Sequence, residues 1–255
     1  MIQEKIFDLQ HKTVLITGAS SGIGAALANL YAQTGADLAL LARRKERIDS
    51  LAAELEKKYN MRCIPVQCDV SDEGNVSAAV QAIVGFYGKI DVLVNNAAIT
   101  AKSEDIAAHT IEQWNAVLNT NLRGPFCISK EVVKYMKTRN YGKIINIASV
   151  CGMMGVGNQI SYSASKSGII GLTRSMAVEL GKYSITVNAI SPGYVLTEMT
   201  NEKSSGCRYF RSRSVLNTIG NPDDLFGTVL LLSSDASAYI SGVVIPVDGG
   251  ITANL

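Results

Sequence analysis

Ser161-Tyr162-Ser163-Ala164-Ser165-Lys166 sets a phenol and an ammonium four residues apart. On a helix that spacing puts both on one face. A phenol titrates at about pH 10 and is a poor proton donor at neutral pH. A neighbouring ammonium favours the phenolate and lowers that pKa, so the pair suits proton exchange with a carbonyl or alcohol oxygen. A Tyr-x-x-x-Lys spacing is also a common surface helix pairing, and alone it decides nothing. Ser149 adds to it. It follows an apolar run that reads as a strand, so its hydroxyl sits at the carboxyl edge of a sheet, where a substrate oxygen can be bound. Cys151, two residues on, borders the same region or is a small buried hydrophobe. Asn121 opens a helix carrying Val132, Val133 and Met136, as a functional amide or as a helix cap.

A second constellation lies near the amino terminus. Thr17-Gly18-Ala19-Ser20-Ser21-Gly22-Ile23-Gly24 directly follows one strand and opens one helix. Gly18 permits a tight turn; Gly22 and Gly24 let backbone approach a pyrophosphate and the helix pack near the strand. The helix start supplies free N–H groups and a positive dipole end. The spacing is G-x-x-x-G-x-G, and its context points to a dinucleotide.

At the end of the second strand many NAD enzymes carry an acid for the ribose 2′-hydroxyl. Here the chain reads Ala42-Arg43-Arg44-Lys45, with no acid before Glu46. Cations disfavour a helix start unless an anion sits there. Arg grips phosphate bidentately, so Arg43, with Arg44 second, is expected to hold the 2′-phosphate of NADP.

These residues need a scaffold. Strand-like runs at Thr13–Thr17, Ala36–Ala42, Arg62–Val66, Asp91–Val94, Lys143–Ala148, Ile185–Ile190 and Val243–Val247 alternate with helical periodicity. Ser71 reads as the N-cap of the helix bearing Val76, Val80 and Ile83. Strands apolar on both faces, separated by helices, predict an α/β fold: a doubly wound parallel sheet of about seven strands in three α/β/α layers. No linker, composition break or repeat divides residues 1–255, which read as one domain. The polar stretch 196–217 reads as a substrate-loop insertion.

Composition narrows the function. Hydrophobic residues form 47% and charged residues 18%, which excludes a disordered chain. A net charge of +2 with 6% aromatics excludes a broad basic face or base-stacking platform for nucleic acid. No membrane-length apolar run or signal peptide is evident, so the chain reads as cytoplasmic. Five widely spaced cysteines read as buried free thiols, and no metal site is expected.

Together these features resemble the short-chain dehydrogenase/reductase superfamily over residues 10 to 252. The set that carries the resemblance is the glycine turn, Asp69, Asn95-Asn96-Ala97-Ala98, Asn121, Ser149, Tyr162 thirteen positions later, Lys166 and Ser191-Pro192-Gly193. The resemblance implies a Rossmann-type sheet and hydride transfer between a nicotinamide and a carbonyl or secondary alcohol. It makes Tyr162 the general acid in reduction, assisted by Lys166, which also binds the nicotinamide ribose. Ser149 would orient the substrate oxygen, and Asn121 would hold a water leading to Lys166. Asp69 and Val70 would meet the adenine, and Asn95 would lie along the cofactor beside Ala97. Ile23 would donate a backbone N–H to the pyrophosphate, which Ser20 and Ser21 border. Pro192, Gly193, Val195 and Thr197 would complete the site, with Thr197 reaching the carboxamide or phosphates. A homotetramer built on the helices around 121–138 and 160–181 is implied as well.

The substrate is less defined. Ser191 to Thr200 is similar to enzymes of the gluconate 5-dehydrogenase and sorbose-reductase type, so a ketose, keto-sugar acid or polyol leads. Lys203, Arg208, Arg211 and Arg213 outnumber Glu198 and Glu202 in the loop, which suits an anionic substrate or a solvated face. Met153, Met154 and Val156 are candidates for an apolar pocket wall. The alternative is a 3-oxoacyl-acyl-carrier-protein reductase, with Lys137 and Arg139 in the carrier's docking patch. Val178 stands where such reductases tend to carry arginine. A non-catalytic nucleotide-binding relative is the remaining class.

Overall fold

The structure, a computed structural model, describes residues 6–101, 105–200 and 202–254. Seven strands form one parallel sheet: β1 (Thr13–Thr17), β2 (Asp37–Ala42), β3 (Cys63–Gln67), β4 (Val92–Asn95), β5 (Gly142–Ile147), β6 (Ile185–Pro192) and β7 (Val244–Val247). Their order is β3-β2-β1-β4-β5-β6-β7. The chain winds outward in one direction from β1 and in the other from β4. The crevice at their carboxyl ends is therefore the switch point where α/β sheets bind ligands.

Alternate side chains of each strand enter two separate cores. Ile16, Leu40, Val94 and Ile145 face α1 (Gly22–Gln33), α2 (Lys45–Tyr59) and the carboxyl-terminal α8 (Phe226–Ser233). Leu15, Leu41, Leu93 and Ile144 face α3 (Glu73–Tyr87), α5 (Gly124–Arg139) and the end of α6 (Ile160–Leu180). This is why β1, β2, β5 and β6 are buried along their whole length. Tyr31, fully buried on α1, hydrogen-bonds Ser233 at 2.6 Å and ties α1 to α8.

All seven expected strands are present, with ends within two residues of those expected. The expected cap of α3 is corrected. Asp72, not Ser71, accepts from the Asn75 N–H at 2.8 Å. Ser71 instead donates its hydroxyl to Asp69 at 2.7 Å. Asn121 is not a helix cap either. It lies in a π-helical turn, Asn119–Arg123, that joins α4 (Ile111–Leu118) to α5. The stretch 196–217 is not plain loop: it carries α7 (Ser205–Arg213), capped by Ser204. All five cysteines are free and buried. Among the described residues no helix is long and apolar enough to cross a membrane.

Candidate active site

A cavity of about 1040 Å³ opens along the carboxyl ends of the strands, from Arg44 at one end to Phe210 at the other. The glycine turn forms its floor. Gly18 has φ +67°, and a Cβ there would lie 2.7 Å from the Ala97 Cα. Gly22 has φ +56°, and its Cβ would meet the Thr197 side chain at 3.2 Å. Gly24 does not line the cavity; a Cβ on it would collide with the Gly18 carbonyl oxygen. Ser21 precedes α1 in extended backbone with no side-chain cap bond, and the first turn holds no acid. The positive end of α1 is thus turned to the cavity at Ser21, Gly22 and Ile23. A floor in which side chains are excluded at Gly18 and Gly22 fits a nucleotide pyrophosphate.

The cationic end is arranged differently from the expectation. Arg44, rather than Arg43, folds over the turn. Its guanidinium donates to Ser20 Oγ at 2.9 and 3.1 Å and to Ser21 Oγ at 2.6 Å. Arg43 is more exposed and lies 4.0 Å from Asp69. Both line the cavity.

Asp69 and Val70 line the wall between them. Burial works against ionisation of Asp69, yet the Ser71 hydrogen bonds and the Arg43 charge hold its carboxyl below the usual carboxylate range. Val70 packs against Gly124 at the start of α5, where a Cβ would lie 2.8 Å from its Cγ2. Asn95 does not reach the cavity. Its amide is buried, donating to Ser129 and Asn146 at 3.1 and 2.9 Å. The adjacent Asn96 lines the cavity instead and donates to the Thr17 carbonyl at 2.9 Å, stitching the end of β4 to the glycine turn. Only its place in Asn95-Asn96-Ala97-Ala98 hinted at this.

Ser149, Cys151, Tyr162 and Lys166 meet at the centre. Ser149 ends the segment after β5 and accepts from the Cys151 N–H at 3.2 Å, which starts a 3₁₀ turn, Val150–Gly152. The Tyr162 and Ser149 side chains line the same part of the cavity. Lys166 donates from Nζ to the Ile147 carbonyl at 2.7 Å and lies 5.6 Å from the Tyr162 ring centre. Burial pushes the Lys166 ammonium down to about 8. Burial also pushes the Tyr162 phenol up, the nearby Cys151 adds to this, and the neighbouring Ser149 hydroxyl opposes it. The direction is opposite to the expected lowering by Lys166. Here desolvation outweighs the ammonium, which is engaged with Ile147.

Asn121 is buried behind this group and does not line the cavity. Its side chain accepts from the Ile99 N–H and donates to the Ile99 carbonyl, both at 2.8 Å. It also donates to Ser165 Oγ at 3.1 Å, and Ser165 donates to the Tyr162 carbonyl at 2.7 Å.

The far end is the mixed apolar wall of the site. Val150, Cys151, Phe210 and Ile251 form a small core against which Met154, Val156, Tyr162 and Tyr194 pack. Pro192, Gly193, Val195 and Thr197 line the cavity next to it, as do Met199 and Tyr209. Thr100 and Gln159, joined at 2.9 Å, supply polar groups. Met153 is exposed and does not line the cavity.

Two charge expectations are corrected. Lys203, Arg208, Arg211 and Arg213 do not line the cavity. Arg211 lies 3.8 Å from Glu202, and Arg208 donates to the Lys203 carbonyl. Lys137 and Arg139 sit at the last turn of α5, by the amino ends of the strands. Arg139 pairs with buried Asp91 at 2.6 Å, and Lys137 lies over Tyr183. The 16 residues of α5 span about 24 Å, so these cations are on the opposite edge of the sheet from the cavity.

Comparison with known proteins gives the family. The model of the short chain dehydrogenase family matches residues 12–208. A 3-oxoacyl-[acyl-carrier-protein] reductase, FabG, of Thermotoga maritima is 41% identical over 244 residues, 95% of this chain and 98% of that protein. A levodione reductase of Leifsonia aquatica is 36% identical over 252 residues, covering 95% and 94%. The crystal structure of a proposed gluconate dehydrogenase of Agrobacterium tumefaciens superposes with a TM-score of 0.93 at 35% identity, covering 98% of this chain and all of the other. The family match over residues 12–208 and the 41% identity over 95% of the chain show that the chain belongs to the short-chain dehydrogenase family.

Proposed function

We propose that the protein is an NADP(H)-dependent oxidoreductase that interconverts a small ketone and its secondary alcohol. The observation that carries this is the meeting of Ser149, Tyr162 and Lys166 in a cavity whose other end is the Ser20–Ser21–Arg44 cluster. Bound NADPH supplies the hydride for the carbonyl carbon. Tyr162 donates its phenolic proton to the carbonyl oxygen, and Ser149 orients that oxygen by hydrogen bonding. Lys166 binds the nicotinamide ribose and favours the phenolate left behind. Asn121 holds α6 in place and supports a water leading to Lys166. Arg44 and Arg43 hold the 2′-phosphate, Asp69 and Val70 the adenine, and the backbone of Ile23 the pyrophosphate.

A ketose, keto-sugar acid or polyol is the leading substrate class. The likeness to the proposed gluconate dehydrogenase and the Thr100–Gln159 pair support it. The second reading is 3-oxoacyl-thioester reduction, favoured by the 41% identity to the Thermotoga maritima reductase. Against it stand Val178, exposed on α6, and the placement of Lys137 and Arg139 on the far edge. The faces of α5 and α6, where Leu122, Phe126 and Leu172 line an apolar dent, are read as homotetramer contacts.

The test is NADPH oxidation with purified protein against fructose, sorbose, 5-ketogluconate, a cyclic diketone and an acetoacetyl thioester. Preference for a ketose or for 5-ketogluconate supports the leading class. Preference for the thioester replaces it with the second reading, and turnover of none favours the nucleotide-binding relative.

A further inference from the structure

Every cation at the start of α2 faces a carboxylate. Arg43 lies near Asp69, Lys45 pairs with Asp49 on its own helix, and Arg44 and Arg47 share Glu198. Asp49 and Asp69 belong to the same side of the cavity as the cations. Glu198 does not. It comes from the segment after β6 that carries Thr197, Met199 and Thr200 along the cavity, 154 residues from Arg44 in the chain. Arg47 donates to both its oxygens at 2.8 and 2.9 Å, and Arg44 approaches it at 3.5 Å. Glu198 is thus the one carboxylate among these that crosses from the substrate side to the cofactor side.

We infer that Glu198 competes with the cofactor's 2′-phosphate for Arg44 and Arg47, and so makes the phosphate a signal to the substrate segment. The inference rests on the NADP reading. Arg44 already gives hydrogen bonds to Ser20 and Ser21, so a phosphate at that turn would meet Arg44 at its centre. A phosphate monoester carries more negative charge than a carboxylate and offers more acceptor oxygens. It displaces Glu198 from Arg44, while repulsion between the two anions weakens the remaining contact to Arg47. The segment keeps its other bonds: the Thr197 N–H to Thr200 Oγ1 at 2.7 Å, Thr200 Oγ1 to the Val195 carbonyl at 2.8 Å, and the Leu196 N–H to the Gly220 carbonyl at 2.9 Å. The phosphate-free cofactor leaves the Glu198 bridge closed. Glu198 therefore lowers affinity for the phosphorylated cofactor and couples its binding to the freedom of the segment that borders the substrate.

The test uses the full-length protein, with NADPH and NADH binding followed by cofactor fluorescence and no substrate present. Glu198→Gln keeps the shape and removes the charge. Exposed ion pairs are individually weak, so Glu198→Gln should tighten NADPH binding by about three- to tenfold and leave NADH within about twofold. Hydrogen exchange of the peptide spanning 198–206 should be faster with NADPH than with NADH in the wild type, and this difference should vanish in Glu198→Gln. If the wild type prefers NADPH but Glu198→Gln changes neither its affinity nor the exchange difference, the inference fails while the NADP reading stands. If the wild type binds both cofactors equally, the NADP reading fails and the inference falls with it.

Discussion

Gly152 presses directly on the backbone of Lys166: a Cβ at 152 would lie 2.7 Å from the Lys166 carbonyl carbon. This approach seats the turn that holds Ser149 on the helix that holds Tyr162 and Lys166. Catalytic geometry therefore depends on a missing side chain that touches no substrate. Gly152→Ala forces the turn and α6 apart. Overpacking of this kind costs about 1–3 kcal/mol, and each kcal/mol lowers Tm by about 2–4 °C in a chain of this size. Misplacing the reacting groups should lower kcat by about a hundredfold. Thermal unfolding and initial rates check both, with NADPH affinity expected to hold.

Asn121 matches both backbone groups of Ile99 and bonds Ser165 from inside a π-helical turn. Asn121→Ala leaves the Ile99 N–H and carbonyl without that partner, at about 1–3 kcal/mol for each group. Asn121→Asp keeps the acceptor but sets a second oxygen against the Ile99 carbonyl. Both variants should melt at least about 4 °C below the wild type. A full rescue by Asp in thermal unfolding would contradict the assigned amide orientation.

The position of Arg44 over Ser20 and Ser21 ranks it above Arg43 for the 2′-phosphate. A hydrogen bond to a charged group contributes about 1.5–3 kcal/mol. Arg44→Ala should therefore weaken NADPH binding by about ten- to a hundredfold with little effect on NADH, and Arg43→Ala should do less. Fluorescence titration of both variants with both cofactors decides the order.

Lys166 makes stability depend on pH in a defined direction. Its pKa is about 8 in the fold against 10.5 for a free lysine. Below the folded value both states are protonated and the burial cost is present in full. Between the two values the unfolded chain binds the extra proton, so this contribution rises with pH. Tyr162 opposes it only above the ordinary phenol value of 10.0, where the folded phenol keeps a proton that the unfolded one loses. Urea unfolding of the wild type and Lys166→Met at about pH 7 and about pH 9.5 should show the wild type gaining on the variant at the higher pH. A constant difference would contradict the burial of a charged Lys166.

The seven strands were legible because a parallel sheet buries both faces, which leaves continuous apolar runs such as Val14-Leu15-Ile16. The glycine turn and the cluster of Ser149, Tyr162 and Lys166 were legible as types at spacings. What was hidden depends on partners far away in the chain. Helix α7 buries only Cys207 and Phe210, too few to print a period on a polar stretch. The π-helical turn at Asn121 leaves no residue signature. Which arginine folds over Ser20, and which edge of the sheet Lys137 and Arg139 occupy, follow from packing.

The most direct test of a Tyr162-centred reduction is a comparison of wild type and Tyr162→Phe with the best ketone of the panel. Hydride transfer from NADPH and NADPH affinity are measured on the same preparations. Removing one hydroxyl should lower the rate by about a thousandfold while NADPH affinity stays within about twofold. A Tyr162→Phe enzyme that reduces the ketone at near the wild-type rate would contradict the account.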